Sequence, residues 1–113
     1  MAQDFERVFK SQVTSSAHTL LTSNSDDALI GIRLTNITTS ALTVSVWIDV
    51  GGAGSTASIV YLAKDLTITP KGSVELIQGG AKINMLSSDL LRVQSSATNS
   101  VAAYISYIDS IST

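Results

Sequence analysis

The acidic and amide side chains of this sequence are the ones best suited to bind a cation. Asn24, Asp26 and Asp27 stand close together in one polar run. Asp49 and Asp89 could add oxygen ligands from other loops. Calcium takes six or more oxygens arranged in a defined loop spacing, and no such spacing occurs here. We therefore interpret these residues as turn formers and predict no metal site.

Two further features could serve catalysis or phosphate binding. His18 is the only histidine, and a general base requires a nucleophile and an orienting carboxylate that the sequence does not nominate. Residues 51–54 (GGAG) have the composition of a phosphate loop, but such loops lead into a helix, and here a strand-like segment follows. We interpret His18 as a strand surface residue and the glycines as a flexible connection. Neither a catalytic residue nor a cofactor is predicted.

Charge and cysteine content exclude further classes of function. The net charge is −2, and the seven basic residues are scattered, so the clustered basic face of a nucleic-acid-binding protein is not expected. The chain has no cysteine, which excludes disulfides and thiolate metal sites. The first residues (MAQDFER) are polar, and we expect no signal peptide, no membrane span and synthesis in a cytoplasm.

The elements that would position any functional residue are strands, and residues 41–50 show this most clearly. Successive side chains of a strand point to opposite faces. One face of this segment carries the aliphatic side chains of Leu42, Val44, Val46, Ile48 and Val50. The other face carries Thr43, Ser45, Trp47 and Asp49. The alternation predicts a half-buried strand of an antiparallel all-β domain, with the aliphatic side chains in the core.

Turn-forming residues separate about eight short strands along the chain, and helical periodicity is absent. This spacing favours a single antiparallel β-sandwich, immunoglobulin-like or jelly-roll-like, over an α/β fold. Residues 28–50 are predicted to form the strongest hairpin, with Ile30, Ile32 and Leu34 on one face. The domain is expected to span residues 1–113, with 1–6 as an arm that is flexible or binds a partner.

The polar faces of these strands consist mainly of short hydroxyl side chains, because Ser and Thr supply 30 of the 113 residues. Few charges would then prevent a neighbour from docking. The chain is either a stable monomer rich in Ser and Thr or, as we prefer, a subunit whose faces and edges are covered by partners. Trp47 is either packed under a loop or exposed for a partner. The predicted interface residues are Thr43, Ser45, Trp47, Tyr61 and Tyr104.

Several runs of residues together resemble a known family. They are residues 37–46 (ITTSALTVSV), 61–68 (YLAKDLTI), 70–76 (PKGSVEL), 79–80 (GG), 88–93 (SDLLRV) and 101–108 (VAAYISYI). Their order resembles the small virion structural proteins of tailed bacteriophages, especially those of marine and cyanobacterial phages. The resemblance covers roughly residues 28–109. Ser88 stands where the family often has glycine, the residue that adopts a positive φ most readily.

The resemblance implies a non-enzymatic structural component of a virion. Such a protein would assemble as a symmetric homo-oligomer, for example a trimer, and attach to capsid or tail proteins on the capsid surface, at the neck or in the tail. The alternative is a small binding module that recognises a host glycan or protein through loops 23–27, 51–56 and 95–100. An enzyme would have to depend on His18. Neither a nucleic acid nor a membrane is an expected partner.

Overall fold

The computed structural model of the chain describes residues 4–77 and 82–109. These residues form nine strands in two sheets, together with two short 3-10 turns at Val50–Gly52 and Thr56–Ser58. The strands are β1 (Asp4–Val13), β2 (His18–Thr22), β3 (Asp27–Asn36), β4 (Leu42–Asp49), β5 (Ile59–Ile68), β6 (Ser73–Glu75), β7 (Ile83–Met85), β8 (Leu90–Ser95) and β9 (Val101–Asp109). The break predicted at residues 79–80 lies outside the described residues, as do residues 1–3 of the predicted arm.

The order of the strands is that of a jelly roll. One sheet has the order β1-β9-β3-β6, with β7 also paired to β3, and the other has the order β2-β8-β4-β5. All pairs are antiparallel. Since β6 and β7 pair with different parts of β3, they share one position, and the nine strands fill the eight positions of two Greek keys. The predicted all-β antiparallel sandwich is confirmed, and of its two variants the structure has the jelly roll.

The hairpin predicted for residues 28–50 is wrong, because β3 and β4 lie in different sheets. The chain crosses between the sheets at the fully buried Asn36. Its Nδ2 donates to the carbonyl oxygens of Ser40 and Ile68, and its Oδ1 accepts from the backbone N–H and hydroxyl of Thr38. These bonds satisfy a buried polar group and stabilise the crossing, so β3 and β4 do not pair although they are consecutive in the chain.

The core lies between the sheets, and β4 supplies a central row of it. Leu42, Val44, Val46 and Ile48 are buried in this core, as their alternation predicts. Val50 is half exposed instead, because β4 ends at Asp49 and a 3-10 turn begins there. The other side chains of β4 face away from the core and form part of an outer surface.

The alternation predicted for β3 is also wrong at one position. Leu29, Ile32 and Leu34 are fully buried, whereas Ile30 is only partly buried. Leu29 and Gly31 pair with consecutive residues of β9, so Ile30 between them is an extra, unpaired residue. Such a bulge reverses which face the following side chains occupy. Ile30 consequently lines an outer surface.

Candidate functional site

Four of the five predicted interface residues lie together on the outer surface of the four-stranded sheet. We call this surface the polar face and define it by Thr43, Ser45 and Trp47 of β4, Tyr61 of β5 and Gln94 of β8. Trp47 is only 7% exposed, and its ring centroid lies 5.7 Å from that of Tyr61. Trp47 is therefore packed in the single chain, but between residues of neighbouring strands and not under a loop.

A concavity of about 220 Å³ opens on the polar face, and Trp47 and Tyr61 form part of its lining. The Lys64 ammonium lies 4.9 Å from the centre of the Tyr61 ring and 3.7 Å from an Asp65 oxygen. The remaining lining is formed largely by hydroxyl and amide side chains, among them Gln94. The concavity therefore offers an aromatic wall, both signs of charge and several hydrogen-bonding groups to a small polar ligand.

The edge of the polar face is irregular at β5. The pairing of β4 with β5 shifts register on both sides of Val46, and Asp65 has a φ of 51°. The Asp65 N–H donates to Ser45 Oγ at 2.9 Å, which holds this part of the bulged strand in place. Bulges and neighbouring charges discourage a strand edge from pairing with another chain.

Tyr104, the fifth predicted interface residue, lies on the opposite sheet. It stacks on Phe9 with ring centroids 6.5 Å apart, and the Arg7 guanidinium lies 5.4 Å from the centre of the Phe9 ring. We call the outer surface formed by Phe5, Arg7 and Phe9 of β1 and Tyr104 of β9 the aromatic face. Phe5, Phe9 and Tyr104 are 80%, 55% and 45% exposed. Exposed apolar side chains that adjoin one another often mark a surface that binds a partner.

The interface residues predicted from the sequence do not include Phe5 and Phe9, although the sequence contains a signal for them. Phe5, Arg7 and Phe9 alternate with a period of two, which is the spacing of side chains on one face of a strand. The pattern is short and broken by charges, and residues 1–6 are interpreted in the sequence as an arm. In the structure β1 begins at Asp4 and pairs with β9 from its first residue.

A wider concavity of about 460 Å³ adjoins the aromatic face and reaches Ile30 and Tyr107. The pKa of the Tyr107 phenol is raised, first because burial disfavours the charged phenolate and then because Glu6, Asp109 and Asp27 carry negative charge nearby. Tyr107 consequently stays neutral beyond the pH at which an exposed tyrosine ionises. Tyr107 therefore lines this concavity with an uncharged hydrogen-bonding group.

Three of the five candidate cation ligands stabilise loops of the chain. Asp27, Asp49 and Asp89 are buried. Asp27 accepts from two serine hydroxyls, Asp49 from the N–H of Gly54 at 2.9 Å, and Asp89 from the N–H of Gly51 at 2.8 Å. Within residues 4–77 and 82–109, no three carboxylate or imidazole groups gather as a metal site would require. These contacts agree with the interpretation of the aspartates as turn formers.

The three loops assigned to a binding surface do not meet. Loops 23–27 and 51–56 lie at one end of the sandwich, where Ser23 and Gly51 both bond to Asp89. Loop 95–100 lies at the other end, where the Ser100 N–H donates to the carbonyl of Val13. Neighbouring connections of a jelly roll alternate between its ends, so one ligand could not contact all three loops.

His18 and Ser88 are both explained by local structure. His18 Nε2 lies 3.0 Å from Thr14 Oγ1, at the start of β2. Ser88 has a φ of 78°, so this turn adopts a positive φ although a serine stands there. The Ser88 N–H donates to the carbonyl of Ser23 at 2.8 Å, and the Asp89 N–H closes the turn on Leu86. These hydrogen bonds stabilise Ser88 in a left-handed conformation that is unfavourable for residues with a Cβ atom.

The comparisons with known proteins add a fold likeness. The sequence matches no protein-family model, and no curated protein is significantly similar to it. A chain from the structure of Bacillus endospore appendages, described as disulfide-linked pili, aligns with a TM-score of 0.57 and 14% identity over 95% of this chain and 84% of its own length. A chain from the acid-stable capsid of a Helicobacter pylori bacteriophage aligns with a TM-score of 0.55 and 12% identity over 96% of this chain and 87% of its own.

The likeness to these two proteins is one of fold. At such identities, no residue of either neighbour can be transferred to this chain. Among the residues that the structure describes, no helix is both long and apolar enough to cross a membrane.

Proposed function

We propose that this chain is a non-enzymatic structural subunit of a tailed-phage virion, which assembles as a symmetric homo-oligomer on the capsid surface, at the neck or in the tail. The observation that carries this proposal is the aromatic face. Phe5, Phe9 and Tyr104 expose large apolar areas beside one another, and covering them with a second protein surface would remove these areas from water.

The fold neighbours support this function by analogy. One is described as part of a phage capsid and the other as a pilus, and both are assemblies of protein subunits. Neither description names a marine or cyanobacterial phage, so that origin stays a prediction from the sequence resemblance. A trimer is one arrangement of the proposed oligomer.

Assembly would use non-covalent contacts. The chain has no cysteine, so it cannot form the disulfide links that the spore appendages are named for. Apolar burial at the aromatic face, backbone pairing at strand edges and hydroxyl hydrogen bonds would supply the contacts. Thr43, Ser45, Trp47 and Tyr61 remain proposed contacts on the polar face, where Tyr61 is the most exposed of the four. Residues 4–6 of the predicted arm would be part of the contact region, since they belong to β1.

The alternative function, a module that binds a host glycan, is favoured by one observation, the concavity on the polar face. Tyr61, Lys64, Asp65 and Gln94 line it and could stack on and hydrogen-bond to a sugar ring. This site differs from the loop surface predicted in the sequence. Glycan-array binding that is lost in Tyr61→Ala and kept in Phe9→Ala would support the alternative.

The proposed function is tested by mass spectrometry of purified virions that have been separated into heads and tails. The virions come from the source that carries the gene. We expect the chain at a fixed stoichiometry in one fraction. A chain that is absent from purified particles and stays monomeric at high concentration would contradict the proposal.

A further inference from the structure

We infer that two copies of this chain pair edge to edge through β1, antiparallel about a two-fold axis at Val8, so that their five-stranded sheets become one continuous sheet. The inference rests on the proposed function and deepens it, because it names one contact of the oligomer. This contact is two-fold, so by itself it gives a dimer and not a trimer. The axis stands perpendicular to the sheet, so the aromatic faces of both copies lie on the same side.

The free edge of β1 is the first observation. β1 pairs with β9 only, within the described residues, and the register is regular from Asp4 to Lys10. Alternate backbone N–H and C=O groups along this segment therefore point away from the sheet. An edge of this kind is a template on which another strand can be added.

The other sheet edges are less suited to pairing. β5 is as long as β1, with ten residues, but it carries two register shifts and the positive φ of Asp65. β6 and β7 have three residues each, and β2 has five with a register shift. β1 is thus the longest regular free edge in the described part of the chain.

The sequence of β1 is complementary to itself about Val8. With the axis at this residue, Glu6 lies opposite Lys10 of the second copy, and the Val8 residues of the two copies lie opposite one another. Opposite charges and aliphatic side chains directly across an antiparallel pair are both favourable. Neither Glu6 nor Lys10 forms a salt bridge with any residue that the structure describes. The carboxylate of Glu6 and the ammonium group of Lys10 are therefore available to pair with a second β1.

Two other registers are worse for identifiable reasons. An axis at Arg7 would place the two Arg7 guanidinium groups directly opposite one another, and like charges across strands are destabilising. If one strand slid along the other by a single residue, outward side chains of one copy would lie against inward side chains of the other, because strand faces alternate. The register centred on Val8 avoids both conflicts.

The same register also accounts for the aromatic face. Arg7 of each copy would lie opposite Phe9 of the other, so each Phe9 ring would have its own Tyr104 on one side and a second guanidinium on the other. Arg7 already contacts the Phe9 ring of its own strand. Cation–π contacts become stronger when their surroundings are desolvated. Pairing would therefore cover part of the exposed ring.

A charge exchange in the whole chain tests the inference. Glu6→Lys and Lys10→Glu each place two like-charged pairs in the two-fold contact, and each should weaken the dimer about tenfold in sedimentation analysis. The double variant Glu6→Lys/Lys10→Glu restores both pairs and should associate like the original chain. Equal weakening in the double variant, or no weakening in the single variants, would overturn the inference. Circular dichroism of each variant checks that the fold is kept.

Thiol cross-linking tests the register, because the chain has no cysteine of its own. Val8→Cys would bring two thiols together at the axis, and a short thiol-to-thiol reagent should give a covalent dimer. Val60→Cys, on the other long edge strand, is the matched control and should stay a monomer. A dimer from both variants, or from neither, would contradict pairing at Val8.

The two proposals fail differently. If the chain is an oligomer in solution or in particles but charge exchange and cross-linking leave β1 uninvolved, the inference fails and the structural function stands. If β1 pairs in solution but the chain is absent from particles, the inference stands and the virion function fails.

Discussion

The two outer faces of the sandwich both carry aromatic residues, but they differ in how these residues are placed. Trp47 lies in β4, between Arg92 of β8 and Tyr61 of β5, so large side chains cover it from both sides. Phe9 lies in the edge strand β1 and has Tyr104 on one side only. A central strand buries an aromatic side chain within the sheet surface, whereas an edge strand leaves it available to a partner.

This difference changes which residues matter for assembly. Tryptophan is the residue type most expected at an interface, and the sequence accordingly singles out Trp47. In the structure Trp47 contributes first to the stability of the four-stranded sheet. The phenylalanines of β1 are the residues whose surface a second protein could still bury. The predictions below test this division between the faces, from the largest expected effect to the smallest.

Trp47→Ala should lower the free energy of unfolding by about 3 kcal/mol, because it removes a large buried side chain and its contact with Tyr61. Urea unfolding monitored by circular dichroism measures the loss. Association, measured by sedimentation under conditions where the variant is folded, should weaken less than in Phe9→Ala, because Trp47 exposes little surface to a partner. Normal stability combined with lost association would instead assign the interface to the polar face.

Phe9→Ala should have the opposite profile. Its side chain is 55% exposed, so we expect a loss in unfolding free energy of only about 1 kcal/mol, from the stacking on Tyr104. Association should weaken about tenfold. Val60→Ala, at a residue 53% exposed on β5, is the control and should leave association intact. Equal effects at both positions would remove the distinction between the two edges.

Ser45→Ala tests the irregular edge of the polar face. The hydroxyl accepts the Asp65 N–H, and its loss should cost about 1 kcal/mol of unfolding free energy. Hydrogen exchange of the Asp65 amide should become faster, because the bulge loses its clamp. Unchanged exchange at Asp65 would show that the bulge is held by the backbone pairing alone.

Tyr107→Phe has the smallest expected effect and concerns the side of the aromatic face. The raised pKa means that the folded chain holds the phenolic proton at a pH where the unfolded chain, with a pKa of about 10, has lost it. The stability that this group contributes is present below pH 10 and is lost as the pH rises through the folded pKa. The variant should therefore lose less stability above pH 10 than the original chain, measured by urea unfolding at each pH.

Glu6→Gln offers a second measurement on the same group. Glu6 is one of the negative charges that raise the pKa of Tyr107, so its neutralisation should lower that pKa. Comparison of the phenolate absorbance of Glu6→Gln with that of Glu6→Gln/Tyr107→Phe isolates the tyrosine. An unchanged pKa would leave burial and the negative charges of Asp109 and Asp27 as the causes.

Much of the fold could be predicted from local patterns. The alternation in residues 41–50 identifies the core side chains of β4, and the turn formers separate the strands near their observed ends. The candidate surface was predicted in part. Thr43, Ser45, Trp47 and Tyr61 do share one face, because β4 and β5 pair directly. Tyr104 could not be assigned to a face of the molecule, since its sheet depends on the pairing of distant strands.

The sequence by itself determined the class of the protein, because the side of a strand on which a residue lies depends only on its near neighbours. It also excluded disulfide links within the chain or between copies, since there is no cysteine. The tertiary structure decided the pairing of strands, and with it the burial of Trp47 and the exposure of Phe9. These outcomes depend on Asn36 sending β4 into the other sheet and on β1 occupying an edge, and both are contacts between residues far apart in the chain.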